Sequence, residues 1–151
     1  MTTTTTTTNT EVYGPIEFVI IEFSRDRLTG EAGPALLDLV ERGVVRLLDL
    51  LVISKAEDGA VEAVEVTDPT GPGAGFGYFA GARSGLLGDD DMGEAAEAMR
   101  PGTVAALIVY ENTWAVPFVG AVLNSGGELI ASARIPAPEV IAALDALESE
   151  K

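Results

Sequence analysis

Three carboxylates stand inside otherwise apolar runs. Glu22 lies in Ile16-Glu17-Phe18-Val19-Ile20-Ile21-Glu22-Phe23, Asp49 in Leu47-Leu48-Asp49-Leu50-Leu51-Val52-Ile53, and Glu111 at the end of a Val-, Ala- and Leu-rich segment. A carboxylate removed from water without a partner is costly and holds its proton to higher pH, which is one way a general acid or base is made. The competing reading is structural: Arg46 and Arg134 lie on neighbouring elements and can pair with these groups. Tyr110-Glu111-Asn112-Thr113-Trp114 contains the only tryptophan. There Asn112 or Thr113 can cap a following helix, while Trp114 can close a core edge or form a binding hot spot. Glu22, Glu111, Asn112 and Trp114 are accordingly the candidate pocket residues.

Other chemistry is narrowed by what is missing. The chain has no Cys, so it has no disulfide, thiolate nucleophile or thiolate metal site, and no His, so His-based triads and His zinc sites are excluded. Acidic residues, Tyr, Ser, Thr and one internal lysine, Lys55, remain. Asp89-Asp90-Asp91 with Glu94 offers oxygen ligands, but the spacing fits no EF-hand and acidic residues favour a helix start. Gly71, Gly73, Gly75 and Gly77 recur every second residue and never give the dinucleotide or P-loop pattern, so they read as a bent loop and not as a phosphate cradle. No catalytic residue, metal or cofactor is assigned on these grounds.

Nine basic residues against twenty-four acidic ones leave a net charge of −15. That field repels phosphate backbones and anionic bilayers, so neither nucleic-acid binding nor membrane insertion is expected. No apolar run approaches the length of a membrane span, and the opening residues lack the basic and apolar regions of an export signal, so the cytoplasm is the expected location. A chain of 151 residues matches one domain, and 47% hydrophobic with only 6% aromatic residues implies an aliphatic core.

The elements that must position these side chains follow from periodicity. Residues 1–15 form a Thr-rich arm, with Thr2, Thr3, Thr4, Thr5, Thr6, Thr7, Thr8, Asn9 and Thr10 as its low-complexity part and Gly14-Pro15 closing it. Threonine favours extended backbone, so the arm is suited to adding a strand to a neighbouring sheet edge. Residues 16–151 read as a single domain. A first strand at residues 16–23 precedes a helix bearing Pro34, Leu36, Leu37 and Val40 and ended by Gly43. The aliphatic run at residues 44–55, Glu57-Asp58-Gly59 and residues 61–67 make a hairpin. A glycine-rich connection with a short element near Tyr78 and Phe79 comes next. A helix opened by Asp89-Asp90-Asp91 then buries Met92, Ala95, Ala96 and Met99, and a strand runs over residues 103–112. Helix, strand and helix at residues 116–124, 129–135 and from Pro138 complete the chain, the last carrying Val140, Ile141, Leu144 and Leu147 on one face.

The fold class is therefore α/β (α+β), with a ferredoxin-like βαββαβ core and an added carboxy-terminal helix-strand-helix. Helices in such a core share one sheet face. Apolar residues occupy both alternating sets of the first, second and fourth strands, so the other face needs a cover from a second subunit or from the carboxy-terminal elements.

Gly14-Pro15-Ile16-Glu17-Phe18, Leu39-Val40-Glu41-Arg42-Gly43, Ser84-Gly85-Leu86-Leu87-Gly88-Asp89-Asp90-Asp91 and Val109-Tyr110-Glu111-Asn112-Thr113-Trp114 together resemble a domain-of-unknown-function family of small bacterial, mainly actinobacterial, proteins. The resemblance spans about residues 14–147 and leaves the Thr-rich arm outside it. It implies a compact α/β domain and no particular activity.

The functional expectation is a non-catalytic, self-associating structural or interaction protein, a homo-oligomer whose Thr-rich arm pairs with a neighbouring subunit. The alternative is a small-molecule-binding regulatory domain or small enzyme of the dimeric ferredoxin-like type, using the Glu22, Glu111, Asn112 and Trp114 pocket; it rests on fold analogy.

Overall fold

The computed structural model describes residues 12–24, 30–67, 71 and 73–150. The low-complexity part of the arm, residues 2–10, lies outside them. The chain divides into two compact units, residues 1–120 and 121–151.

The first unit is built on four antiparallel strands, β1 (Ile16–Ser24), β2 (Arg46–Lys55), β3 (Val61–Ala63) and β4 (Thr103–Glu111), in the order β1-β4-β2-β3. β4 is central because both of its alternating sets are apolar, and all of it is buried except Tyr110, which is half-buried. β1 runs alongside β4 over its full length, Ile16 opposite Glu111 and Ser24 opposite Thr103. β2 takes the other side of β4 and carries a bulge between Leu47 and Asp49. The Asp58-Gly59 turn forms where expected, Gly59 at φ +92° and Asp58 Oδ1 accepting from the Ala60 N–H, but the strand after it covers only Val61–Ala63 and not the expected residues 61–67.

Two helices cover this sheet from opposite sides. Helix α1 (Ala32–Glu41) and a 3-10 turn (Ala74–Phe79) pack Leu36, Leu37, Val40, Phe76 and Phe79 over Leu50, Val52, Val104, Ala106 and Ile108. Helix α2 (Asp89–Ala98), with Leu87 before it and Met99 after it, packs over Ile53, Ala105, Leu107 and Val109. This corrects the expected architecture. A ferredoxin-like sheet keeps its first and third strands inside and both helices on one face, whereas here the second and fourth strands are inside and the helices lie on different faces. What holds is the coarser expectation of a mixed α/β chain with an antiparallel four-stranded sheet. The physical cause is the doubly apolar β4, whose two faces each demand a helix.

Along β1 apolar residues stay exposed on both faces, Ile21 at 40% on the α1 side. Ile16, Phe18 and Ile20 share the α2 side of β1, opposite Glu111, Val109 and Leu107, and remain exposed at 54%, 42% and 38%. At the sheet centre that face is covered by α2 itself.

Helix α3 (Val116–Asn124) follows a second 3-10 turn (Thr113–Ala115) and crosses the boundary between the units. The second unit also holds α4 (Ala137–Ser149). The expected strand at residues 129–135 does not form: residues 127–136 pair with no strand among the described residues. Ala131-Ser132-Ala133 are weak strand formers, and Pro136 ends the segment as the entry to α4. Among the described residues, no helix is long and apolar enough to cross a membrane.

Candidate functional site

The ladder separates the candidate pocket into two places. Glu22 faces Ala105 while Glu111 faces Ile16, so six residues of strand, roughly 20 Å at ~3.3 Å per residue, lie between them. Glu111, Asn112 and Trp114 do converge at the end of β4, and Glu22 stands near the opposite end.

At the β4 end the carboxylate of Glu111 is buried and fully engaged. Its Oε2 accepts from the Gly14 N–H at 2.7 Å and its Oε1 pairs with Arg46 Nε at 3.0 Å. The Arg46 guanidinium also stacks over the Tyr13 ring, 5.5 Å from its centroid. Asn112 closes the same strap: its backbone N–H donates to the Pro15 carbonyl at 2.8 Å, and its Nδ2 donates to Glu17 Oε1 at 2.8 Å and to Pro15 O at 3.3 Å. Trp114 Nε1 donates to Asn112 Oδ1 at 3.2 Å while its ring stays exposed. A Cβ on Gly14 would collide with the Asn112 carbonyl, so only glycine lets the strap lie this close. Neither Asn112 nor Thr113 caps the following turn through its side chain, and Thr113 Oγ1 is buried without a hydrogen-bond partner among the described residues. The site therefore fixes where the arm leaves the sheet.

Glu22 is held by the loop before β4. Its Oε2 accepts from the Arg100 N–H at 2.7 Å and from Thr103 Oγ1 at 2.8 Å, and its Oε1 lies 3.5 Å from Arg100 Nε. The backbone hydrogen bond from Arg100, then that from the Thr103 hydroxyl, holds its pKa below the ordinary 4.5. Stabilisation by a depressed carboxylate is complete above the unfolded value and is lost as pH falls through the folded one. The melting-temperature gap between the native chain and Glu22→Gln should thus be widest near neutrality and should close as pH drops below about 4.5. A gap that stays constant down to pH 3 would show that the carboxylate adds nothing.

Asp49 is the most enclosed of the three carboxylates, fully buried beside the β2 bulge. Oδ1 accepts from Arg83 Nη1 at 3.0 Å, from the Leu50 N–H at 2.9 Å and from the Ser84 N–H at 3.3 Å, while Oδ2 accepts from the Leu87 N–H at 2.8 Å. Segment 83–88 is wrapped around this one side chain, which pins the entry to α2. Asp91 Oδ2 then accepts from the Gly88 N–H, so the aspartate run serves the helix start. Lys55 is likewise structural: its Nζ donates to the carbonyls of Ala96 and Met99, capping the other end of α2.

A family model described as a family of unknown function, DUF6325, matches residues 12–151. The chain belongs to that family. Neither a curated protein nor a solved structure matches it. The DUF6325 match takes in the Tyr13-Gly14-Pro15 strap and all three carboxylate clamps, and begins after the threonine run.

Sequence reasoning offered Arg46 and Arg134 as partners for the three carboxylates without assigning pairs; Arg46 meets Glu111, and the cations on the other two, Arg83 and Arg100, were missed. Arg83 and Arg100 hold Asp49 and Glu22, each from a loop that precedes an element on the same sheet face or strand end. Ser84-Gly85-Leu86-Leu87-Gly88 offered a signal: a short glycine-bounded loop next to a helix start supplies the free N–H groups that a buried carboxylate needs.

Proposed function

We propose that this DUF6325 chain is a non-catalytic, self-associating protein that uses β1 as its contact strand. The observation that carries this reading is β1 itself: a nine-residue edge strand, paired only with β4 among the described residues, with Ile16, Phe18 and Ile20 exposed on one side. A long, flat, apolar edge is a template for another chain. The opposite edge, β3, has only three residues and offers much less. The carboxylates that might have served chemistry are engaged by arginines and backbone N–H groups, which supports a structural role for them. The Thr-rich arm leaves beside the start of β1 and is the strand we assign to a neighbour's β1 edge.

Sedimentation equilibrium tests this reading directly. The native chain should weigh more than one copy and melt at a temperature that rises with its concentration, and Phe18→Lys with Ile20→Lys should shift it to the mass of one folded copy whose melting temperature no longer depends on concentration. Removing residues 2–11 should weaken association by tenfold or more. Copies carrying −15 repel within a Debye length of about 10 Å at 0.1 M salt, so association should strengthen as salt is raised. A native chain that is monomeric at every concentration and salt would end the proposal, and an unchanged mass on removing residues 2–11 would end the role of the arm.

A further inference from the structure

The buried Asp49 carboxylate fills a site that another part of the chain builds. Arg83 Nη1 and the N–H groups of Ser84 and Leu87, which all donate to it, come from one short loop, residues 82–88. Contacts that do not involve Asp49 give this loop its shape. Ala82 N–H donates to the Phe79 carbonyl at 2.9 Å and the Ala82 carbonyl accepts from Leu50 N–H at 3.1 Å, so the loop starts between a buried ring and β2. Gly85 at φ +89° turns the chain back, and Arg83 Nη2 donates across the turn to the Leu87 carbonyl at 3.4 Å. At the far end Gly88 N–H donates to Asp91 Oδ2. Backbone N–H groups and a guanidinium gathered on one side of a turn make a concave anion site.

We propose that residues 82–88 are a carboxylate-binding loop for which Asp49 is a tethered ligand, and that a free small carboxylate, formate, binds there when the Asp49 side chain is withdrawn. Occupancy closes the loop, whether or not the occupant is bonded to β2. The donors are divided between two oxygens, with Arg83 and Ser84 on Oδ1 and Leu87 on Oδ2. A carboxylate presents two acceptors at that fixed separation and a chloride ion does not. Closure has a use in the native chain. Among the described residues β3 pairs only with Ile53–Lys55, and the next part of the β2 edge is met by the loop, through Leu50 and Ala82. The filled loop therefore shields an edge that would otherwise stand open to another strand.

The affinity expected is low. For a ligand of so few atoms the dissociation constant is about 1 mM at best. The −15 charge repels small anions, and Arg83, the cation of the site, is 44% exposed, so formate should bind more weakly than that limit.

Urea unfolding of Asp49→Ala in sodium formate, against equal concentrations of sodium chloride, tests the proposal. A ligand at ten times its dissociation constant lowers the unfolding equilibrium constant roughly tenfold, and formate at about 0.3 M should do so relative to chloride. The native chain and Asp49→Asn, whose sites are filled, should respond alike to the two salts. Amide exchange at Ser84 and Leu87 of Asp49→Ala should slow in formate and not in chloride. Adding Arg83→Met should remove most of the formate effect. If Asp49→Ala is unfolded in chloride, the same titration is read as recovery of far-ultraviolet circular dichroism, with Asp49→Gly as a roomier second variant. Equal responses of Asp49→Ala to formate and chloride would overturn the proposal, as would no recovery in either variant. So would a formate effect that Asp49→Asn shares or that survives Arg83→Met, because formate would then act elsewhere. None of these outcomes depends on association, so the β1 reading stands or falls separately.

Discussion

Asp49→Ala should lower the unfolding free energy by about 3–5 kcal/mol. The carboxylate is fully buried and accepts from one guanidinium and three backbone N–H groups. Truncation does not strand all of them. Leu50 N–H also donates to the Ala82 carbonyl at 3.1 Å, and Arg83 is partly exposed and can return to water. Ser84 is exposed and its N–H can also return to water, but the N–H of buried Leu87 has no such alternative, and an orphaned buried donor costs roughly 1–3 kcal/mol. Loss of the clamp also frees Leu87 from the cluster it shares with Ala95 and Met99. For a chain of this size the melting temperature should fall by roughly 6–20 °C. Asp49→Asn retains the shape and one acceptor oxygen, so it should recover part of the loss, and Arg83→Ala should cost less than either. Equal effects from Asp49→Ala and Arg83→Ala would mean that the ion pair, and not the backbone cage, holds the loop.

The sequence was most legible where periodicity and turn chemistry acted locally. Helix α1 with Leu36, Leu37 and Val40 inward and Gly43 at φ +73° after it, the Asp58-Gly59 hairpin, the aspartate-led α2 and the span of β4 were all readable from spacing. Strand order was not, because βαββαβ is compatible with more than one arrangement of antiparallel neighbours. The signal that chooses among them is which strand is apolar on both faces at every position, and β4 meets that test more fully than β1, whose Glu17 and Glu22 suit an edge. The same doubly apolar pattern was read as a request for a second subunit or for the carboxy-terminal elements; α2 answers it at the sheet centre, and exposed apolar residues remain along β1. The candidate pocket failed in part for a related reason. Two acidic residues at the ends of antiparallel neighbours sit at opposite ends of the sheet unless the strands run the same way, and Glu22 and Glu111 are such a pair. The strand expected at residues 129–135 rested on Leu129, Ile130 and Ile135, but apolar residues alone do not make a strand when no edge receives them.

Glycine in this chain marks close approach at some positions and open space at others, and one substitution made at two helical positions exposes the difference. Alanine normally stabilises a helix relative to glycine by roughly 0.5–1 kcal/mol. Gly93 in α2 has open space where a Cβ would go, so Gly93→Ala should stabilise by about that amount. Gly33 in α1 is buried, and a Cβ there would fall inside the Gly75 carbonyl group. Gly75 cannot retreat freely, because its own Cα side lies against Gly30, where an added Cβ would meet the Gly30 Cα at 2.7 Å. Gly33→Ala must therefore push the 3-10 turn (Ala74–Phe79) off α1. That turn carries Phe76 and Phe79 into the core, with the Phe76 ring centroid 6.3 Å from that of Phe23. Overpacking of this kind costs about 1–3 kcal/mol, and partial withdrawal of two phenylalanines brings the expected loss to about 2–4 kcal/mol. Urea unfolding of the two variants should move the midpoint in opposite directions, with faster amide exchange across residues 74–79 only in Gly33→Ala. A midpoint raised by both would mean that the glycine-rich connection rests on α1 loosely, and that these glycines serve only to bend the chain.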